Sequence, residues 1–471
     1  MLSGRYRPGQ PEGNLSKTME GTQKSKTRNR IWILLTGVLF MAAMLLLSGR
    51  MPWFLTKKDK VLTIGVFSDS YWEVQNGYSY QILEDAIAKY EKQNPGIRVE
   101  YVSGVMKEDY MEWLSEQILQ GTAPDIFFLP EENVCEFAQA GVLKKLNHMI
   151  EKDAGFSTEQ YYTSALQSGV YAADLYALPY ECAPRLMFIN KSILDAEHIS
   201  MPDNDWSFQD LYNICKKVTK DTDGNGVLDQ FGITGYTFED AFYGNDVTLF
   251  NQSGTECYFT GDKVEHAIAF LEKLEDTSQG HTVSEKDFDQ GKVAFMPMLF
   301  SEYRAYKPYP LSVKKYSSFE WECLSMPAGP DGSNVSRLDT LLIAMNRKSK
   351  NKQAAFEFMK LLTADEEIQS EIFAYSEGVS VLKKVTESEQ TLARLLEDSG
   401  NSGFQLDTLS SAVENAVVYP GFDGYDEMIK EVGTAVSDIL ADDENIGTGQ
   451  IIWNRKLNAL LKEKSKWNIQ I

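Results

Sequence analysis

The chain has 471 residues and carries 46 Lys and Arg against 68 Asp and Glu, a formal net charge of −22. Its first 60 residues hold 11 basic and 3 acidic residues, so residues 61–471 hold 35 basic and 65 acidic ones. A surface this acidic repels nucleic acid, and we expect no nucleic-acid partner. With 12% aromatic residues, a chain of this length predicts a folded body of two lobes rather than a disordered tail.

An uncharged apolar segment, "IWILLTGVLFMAAMLLL", runs from Ile31 to Leu47. With the two residues that follow, it would span roughly 28 Å as a helix, enough to cross a bilayer. Seven basic residues precede it and four follow it by residue 60, which predicts a cytoplasmic N-terminus. The expected segments are a cytoplasmic basic leader (1–30), a transmembrane signal anchor in contact with the lipid bilayer (31–49) and a linker (50–60). A cleaved signal peptide is the alternative, although Leu47 fits the cleavage site poorly.

Strand and helix patterns alternate from residue 61 onward. "VLTIGVFS", "IRVEYVSG" and "DIFFLP" are typical of short apolar strands, and the amphipathic stretches "QILEDAIAKYEKQNPG" and "YMEWLSEQILQG" between them predict helices. This order predicts a parallel sheet with ligands at the carboxyl ends of its strands. Those ends are Ser68–Trp72, Ser103–Val105 and Pro130–Asn133.

A second unit follows. "SFQDLYNICKKVTK" starts at Ser207 with Asp210 three residues later, which resembles a capping box. "FGITGY" predicts a strand, and further helices are predicted at "KVEHAIAFLEKLED", "KQAAFEFMKLLT" and "DEMIKEVGTAVSDILAD".

A series of phrases resembles, in order and spacing, the extracellular solute-binding proteins of ABC importers, the sugar-type family 1 that includes the maltose-binding proteins. They are "GTAPDIFFL", "AGVLKKLNHMI", "YALPYECAPRLMFINKSIL", "WSFQDLYNICKKVTKDTDGNGVLDQFGITG", "GKVAFMPM", "MPAGPDG" and "IAMNRKSKNKQAAFEFMKLLTADEEIQ". The resemblance implies an α/β, two-lobed periplasmic-binding-protein-like fold with a hinge and an interlobe cleft. The lobes implied are 61–180 with 325–350 and 181–324 with 351–471, and the chain crosses between them at "ALPYECAP" and "LSMPAGP".

The resemblance also bears on the anchor. Gram-positive members carry a lipidated cysteine just after such an apolar segment, and here Arg50 stands at that position. A membrane-spanning helix would replace the lipid and keep the receptor on the outer face. We therefore expect a single-pass protein of the cell membrane of a Gram-positive bacterium, monomeric, with its main domain outside the cell.

Sugars are bound by aromatic rings under their C–H faces and by carboxylates, amides or Arg that bond their hydroxyls. Residues of these types fall where the family has its cleft loops. The candidates are Tyr71, Trp72, Glu131, Glu132, Tyr180, Glu181, Arg185, Tyr236, Phe300, Tyr303, Arg337, Asp339 and Tyr425. For each aromatic residue the alternative is ordinary core packing; for Glu131, Glu132 and Arg185 it is a solvated face or a salt bridge between lobes.

The phrase "DTDGNGVLDQFG" resembles a calcium-binding loop. The residues at its positions 1, 3, 5, 7 and 9 are Asp221, Asp223, Asn225, Val227 with its carbonyl, and Asp229. Gly226 stands at the sharp turn, but position 12 is Gly232 rather than Glu, which predicts weak affinity. An Asx-rich turn without metal is the alternative. We expect no required cofactor, and structural calcium is the one metal that the sequence suggests.

The sequence contains no recognisable catalytic motif. The five cysteines form no C-x-x-C pair, and the sequence lacks the H-E-x-x-H, G-x-S-x-G and P-loop patterns. We therefore expect a binding protein that captures a carbohydrate, an oligosaccharide, and delivers it to an ABC permease, and not an enzyme. The alternatives are an extracellular glycan-acting enzyme using a pair such as Glu131 and Glu181, and a ligand-sensing partner of a membrane signalling protein.

Overall fold

The computed structural model describes residues 60–72, 78, 80–305, 319–399, 405–441 and 445–467. The predicted leader, anchor and linker lie outside these residues, except for Lys60. Among the described helices, none combines the length and apolar character needed to cross a bilayer.

Most strands belong to one mixed sheet, in the order β2-β1-β3-β10-β6-β8-β7, with β9 and β11 also paired to β6, while β4 and β5 pair with each other. The described strands are β1 (Lys60–Gly65), β2 (Ile97–Val102), β3 (Ile126–Pro130), β4 (Val170–Tyr171), β5 (Asp174–Leu175), β6 (Ala177–Asn190), β7 (Phe231–Ile233), β8 (Val293–Leu299), β9 (Trp321–Leu324), β10 (Leu338–Met345) and β11 (Val379–Ser380).

Helices cover this sheet, and two single 3-10 turns, Glu131–Asn133 and Thr158–Gln160, interrupt the loops. The described helices are α1 (Gln81–Gln93), α2 (Lys107–Gln120), α3 (Val134–Gln139), α4 (Asn147–Glu151), α5 (Thr163–Gln167), α6 (Lys191–Ala196), α7 (Phe208–Val218), α8 (Phe238–Gly244), α9 (Asp262–Asp276), α10 (Glu285–Asp289), α11 (Phe300–Ala305), α12 (Lys352–Ala364), α13 (Glu366–Ser370), α14 (Ile372–Tyr375), α15 (Lys383–Thr386), α16 (Glu389–Ser399), α17 (Leu406–Glu414), α18 (Tyr425–Ala441) and α19 (Ile446–Trp467).

The first lobe is built on the predicted parallel strands. β1 pairs in parallel with β2 and with β3, which confirms the strand and helix alternation read from the sequence. All five residues of β3 are buried, as expected for a strand covered on both faces. Leu62 and Phe127 from the strands and Ala86 from α1 share this core. The carboxyl ends of β1, β2 and β3 therefore lie along one edge of the first lobe.

Strand β6 runs through both lobes. Its residues Ala177–Pro184 pair with β10, and Arg185–Ile189 pair with β8. Every residue of β6 except Arg185 is buried. The change of partner after Pro184 agrees with the first crossing that the family resemblance gave to "ALPYECAP".

The second lobe packs around β8 and a set of helices. α7 begins with the predicted capping box, in which Ser207 and Asp210 bond each other's backbone N–H. Phe208 stacks on Phe270 of α9 with ring centroids 4.0 Å apart. Residues of α18 and α19 complete the same core, so the C-terminal helices belong to this lobe.

Two segments depart from the expected division into lobes. Phe356 and Met359 of α12 are buried in the core of the first lobe, although residues 351–471 were all expected in the second. Met326 packs in the second-lobe core, although 325–350 was expected in the first. The return crossing lies later, where the Arg185 N–H donates to the Arg337 carbonyl at 3.2 Å. An amphipathic pattern predicts a buried helix face but does not say which sheet it covers.

Candidate functional site: a cavity between the two lobes

A cavity of about 350 Å³ opens where β1 and β3 end. Its walls come from both lobes and from the start of β10. The first-lobe wall is Tyr71, Trp72, Lys107, Glu131 and Glu132, the second-lobe wall is Leu299, Ser301, Glu302, Tyr419 and Asp426, and Arg337 and Asp339 lie at the crossing between them.

The turn after β1 positions the two aromatic residues of the first-lobe wall. The rings of Tyr71 and Trp72 meet edge to face with centroids 4.7 Å apart. The Trp72 N–H donates to Ser70 Oγ at 3.1 Å, which fixes the turn. Lys107, the first residue of α2, places its Nζ 4.8 Å from the centroid of the Tyr71 ring. These contacts hold an aromatic surface against the cavity.

The two glutamates of this wall follow β3 in a 3-10 turn. Glu131 is only 6% exposed, and its Oε2 has no hydrogen-bond partner within the described residues. Burial raises the pKa of Glu131 well above its usual value, and the nearby charge of Asp339 raises it further. Burial also raises the pKa of Glu132, and Asp426 of the other lobe adds to that rise. Negative charges therefore act on one another across the cavity.

Ion pairs hold the crossing region. Arg337 binds Asp339 with two hydrogen bonds, Nε to Oδ1 at 2.7 Å and Nη2 to Oδ2 at 3.1 Å. Its Nη1 also lies 3.5 Å from Glu239 Oε2 on α8. Burial opposes the charge of Arg337, but Asp339 and Glu239 outweigh it and raise its pKa. The guanidinium thus links the start of β10 to a helix of the second lobe.

Three residues of the second-lobe wall, Ser301, Glu302 and Asp426, lie at helix starts. Glu302, in the first turn of α11, accepts a hydrogen bond from the Leu299 N–H at 2.6 Å. The Tyr419 hydroxyl donates to Asp426 Oδ1 at 2.8 Å. Ser301 is 1% exposed, and its Oγ has no hydrogen-bond partner in the described part of the chain. The Ser301 hydroxyl and one carboxylate oxygen of Glu131, both buried and without a hydrogen-bond partner among the described residues, thus border the same space.

Sequence comparison assigns the family. The pattern of the family described as "Bacterial extracellular solute-binding protein" matches residues 76–369, more than half of the chain. The chain belongs to this family. A stretch of 140 residues is also 25% identical to the galactooligosaccharide-binding protein of Bacillus subtilis strain 168, covering 29% of this chain and 30% of that protein. The match therefore spans less than a third of that relative.

Solved structures of sugar-binding proteins of ABC transporters have the same two-lobed fold. The cyclic alpha-maltosyl-1,6-maltose binding protein of Arthrobacter globiformis matches with a TM-score of 0.70 and 14% identity, over 86% of this chain and 100% of that one. The sugar-binding protein MalE of Xanthomonas citri matches with 0.69 and 15%, over 87% and 99%. An ABC substrate-binding protein of Listeria monocytogenes in complex with cycloalternan matches with 0.63 and 19%, over 86% and 99%.

The structure of this solute-binding protein brings together about half of the predicted ligand residues. The cavity is lined by Tyr71, Trp72, Glu131, Glu132, Arg337 and Asp339. The predicted residues outside its lining are Tyr180, Glu181, Arg185, Tyr236, Phe300, Tyr303 and Tyr425.

Tyr180 and Glu181 line a smaller pocket of about 60 Å³ in the first lobe, which Tyr71 also borders. Glu181 is 4% exposed and accepts a hydrogen bond from Ser376 Oγ at 2.5 Å. Burial raises the pKa of Glu181 to about 7. Glu131 and Glu181 therefore border different pockets, which is a poor arrangement for an acid and base pair acting on one bond.

Arg185 forms a salt bridge, but within the second lobe rather than between the lobes. Its Nε lies 2.8 Å from Asp240 Oδ1, and its Nη2 donates to the Gly235 carbonyl at 2.9 Å. Asp240 also closes the capping box at the start of α8. The arginine therefore ties β6 to the second lobe instead of facing the cavity.

The predicted aromatic residues of the second lobe serve packing. Phe300 is fully buried in a core around the middle of β6, so it cannot act as a sugar platform in this conformation. Tyr303 packs against Trp321 with centroids 4.6 Å apart, and Tyr236 packs edge-on against Phe270 at 5.8 Å. The Tyr425 hydroxyl bonds that of Tyr243 at 3.2 Å. Core packing, the alternative given for aromatic residues, describes all four.

Six lining residues were missed: Lys107, Leu299, Ser301, Glu302, Tyr419 and Asp426. Lys107 could have been found, because it begins the helix that follows β2 and so lies at a strand end. Glu302 and Asp426 each lie within two residues of an aromatic residue that was predicted to bind ligand, in the first turn of α11 and of α18. No periodic signal in the sequence distinguishes these two acids from solvated ones.

The acidic loop of the second lobe has the compact geometry of a cation site. Carboxylate oxygens of Asp221, Asp223 and Asp229 all lie within 4.8 Å of one another. Asp221 accepts hydrogen bonds from the N–H groups of Gly224 at 2.7 Å and Gly226 at 2.6 Å. The bond from Gly226 is the main cause that lowers the pKa of Asp221. A loop closed by its own backbone also fits the Asx-turn reading, and calcium stays a prediction.

Proposed function

We propose that this chain is the receptor of an ABC importer that holds an oligosaccharide in the cavity between its lobes and delivers it to a permease. The observation that carries the proposal is the lining of that cavity, where aromatic rings and carboxylates from both lobes converge. The family and the sugar-binding relatives support it.

The residues suit the physical needs of sugar recognition. The rings of Tyr71, Trp72 and Tyr419 offer faces and edges for the C–H groups of a pyranose. The carboxylates of Glu131 and Asp426 accept hydrogen bonds from its hydroxyls. The cavity volume of about 350 Å³ is at the lower end of the range of ligand pockets.

Two walls on two lobes also provide a mechanism for capture. If the lobes close about the ligand, its affinity for the closed form exceeds that for the open form, and this difference sets how far the population shifts. β6 and the ion pair of Arg337 with Glu239 connect the lobes at the expected pivot. The ligand is bound and released without chemical change.

We further propose that residues 31–49 anchor the protein in the membrane as a monomer, with the binding lobes outside the cell. The support is the uncharged segment, the basic leader and Arg50 in place of a lipid-acceptor cysteine. Full-length protein is expected in the membrane fraction with an intact N-terminus. A mature N-terminus between Ser48 and Met51, found by mass spectrometry, would contradict the anchor.

The binding proposal is tested by calorimetric titration of the full-length protein in detergent against malto-, galacto- and gluco-oligosaccharides. We expect saturable binding to at least one series and no product by chromatography after prolonged incubation. Binding of a peptide or an anionic metabolite with no saccharide binding would overturn the carbohydrate assignment. Hydrolysis products would overturn the assignment as a binding protein.

A further inference from the structure

The charges that line the cavity are unequal. Among the described residues that border it, five are carboxylates, namely Glu131, Glu132, Glu302, Asp339 and Asp426, and two are cations, Lys107 and Arg337. Asp339 and Glu239 already engage Arg337. The described lining therefore holds more acidic than basic groups.

The remaining carboxylates are not held in ion pairs with any described residue. Among the described residues, Glu131, Glu132, Glu302 and Asp426 have no ion pair. Their hydrogen bonds come from neutral groups, as Glu302 from the Leu299 N–H and Asp426 from the Tyr419 hydroxyl. Nearby cations oppose the rise in pKa, Arg337 at Glu131, Lys107 at Glu132 and Arg185 at Glu302, but burial outweighs them.

Two further atoms show that the space is built to receive polar donors and acceptors. Glu131 is 94% buried and Ser301 is 99% buried, and Glu131 Oε2 and Ser301 Oγ have no partner among the described residues. A buried carboxylate oxygen left without a donor costs free energy, so a group that binds here gains by supplying one.

We propose that the solute carries at least one ammonium group, so that the ligand class is an amino sugar or another amine-bearing saccharide; this rests on the proposed binding function. An ammonium offers three N–H donors and one positive charge, whereas a hydroxyl offers a donor without charge. The cation also offsets the repulsion between Glu132 and Asp426, which come from different lobes and act on each other electrostatically, whereas a neutral hydroxyl does not. Charge-assisted bonds of this kind are the stronger ones.

The same arrangement explains why a neutral sugar would bind less well. Lobe closure removes water from carboxylates of both walls, and uncompensated charge is costly to desolvate. Burial raises the pKa of Glu131, which is 6% exposed, so an unpaired negative charge is already disfavoured there. A bound cation relieves this penalty and makes closure more favourable.

The experiment uses matched sugars that differ in one group. Full-length protein in detergent is titrated at about pH 6 with glucosamine and glucose, and with the glucosamine disaccharide chitobiose and cellobiose, in which a hydroxyl replaces each ammonium. We expect the amine member of at least one pair to bind tenfold or more tightly. We also expect added salt to reduce this preference.

Variants locate the preference in the cavity. Glu131→Gln and Asp426→Asn should each reduce the amine-to-hydroxyl affinity ratio several-fold, while Glu112→Gln, a charge change on an exposed face of α2, should leave the ratio unchanged. Circular dichroism checks that each variant is folded. A ratio unaffected by both cavity variants would overturn the inference.

The other outcomes separate this inference from the proposed function. If the neutral sugars bind as tightly as the amines, the inference is overturned and saccharide binding stands. If neither type of sugar binds, and the oligosaccharide series also fail, the proposed function falls and the inference falls with it.

Discussion

The two walls of the cavity differ in how they are encoded. Tyr71, Trp72, Glu131 and Glu132 of the first-lobe wall follow parallel strands, and the rule that ligands lie at strand ends found all four. None of the second-lobe wall was found; apart from Leu299 at the end of β8, its side chains come from the starts of α11 and α18 and from the loop before α18. The binding edge of a parallel sheet can thus be predicted from the sequence, because its strand ends can be located. A helix start does not indicate in the same way which side chains face a ligand.

A substitution at Phe300 tests whether this residue belongs to the core of the protein or to the second-lobe wall of the cavity. It was predicted to contact ligand, but it is fully buried at the start of α11. Phe300→Ala should therefore lower the free energy of unfolding by about 3–5 kcal/mol, because it leaves a cavity in a packed core. Urea denaturation measures this, with Leu119→Ala, an 86% exposed site, as the control that changes little. Unchanged stability together with lost saccharide binding would restore Phe300 as a ligand contact.

The first-lobe wall is backed by a buried carboxyl, and this gives it a pH dependence. Burial raises the folded-state pKa of Glu181 from 4.5 to about 7. The folded state therefore keeps the Glu181 proton to a higher pH than the unfolded state. This contribution to the free energy of unfolding is fully present below about pH 4.5 and is lost as pH rises through about 7. Glutamine cannot ionise, so Glu181→Gln should avoid this fall in the free energy of unfolding. The fall amounts to at most about 3 kcal/mol, since one pKa unit corresponds to ~1.4 kcal/mol.

Thermal melts of wild type and Glu181→Gln at intervals from pH 5 to pH 8 check this sign. The two Tm curves should converge toward acid pH and separate toward pH 8, with the variant higher. Glu112→Gln is the exposed control and should run parallel to wild type. A variant whose Tm falls more steeply with pH than that of wild type would show that Glu181 stabilises the fold as a charge.

Tyr71 and Tyr419 compare the two walls directly, because each places a tyrosine on the cavity. If both lobes contact the bound saccharide, Tyr71→Ala and Tyr419→Ala should each weaken binding about tenfold, equivalent to ~1.4 kcal/mol. Tyr→Phe at either position keeps the ring and should lose less. Titration calorimetry measures all four variants. An effect at Tyr71 alone would indicate a ligand held on the first lobe without closure.

The acidic loop of the second lobe should be independent of both walls. If it binds calcium, free calcium at about five times Kd should stabilise the protein by about 1 kcal/mol. Asp223→Ala should abolish this shift of Tm and leave saccharide affinity unchanged. A calcium-induced shift that persists in the variant would place the cation elsewhere, and a change in saccharide affinity would connect the loop to the ligand site.

Local patterns foresaw much of the fold and less of the site. The parallel strands β1 to β3, the capped helix α7 and the long helices were read from apolar periodicity and end signals. The attachment of α12 to the first lobe was not, because Phe356 and Met359 show only that one face of the helix is buried. Phe300 was wrongly predicted and Asp426 was missed for a related reason: the direction of a side chain at a helix start depends on tertiary packing.

The central claim is that a saccharide lies between the two walls and contacts both. A crystal structure of the protein with the tightest-binding sugar from the titrations tests it most directly. The account predicts a sugar in the cavity, with Tyr71 and Glu131 of one lobe and Tyr419 and Asp426 of the other within contact distance. A sugar bound on the outer surface, or held by a single lobe with the cavity empty, would contradict it.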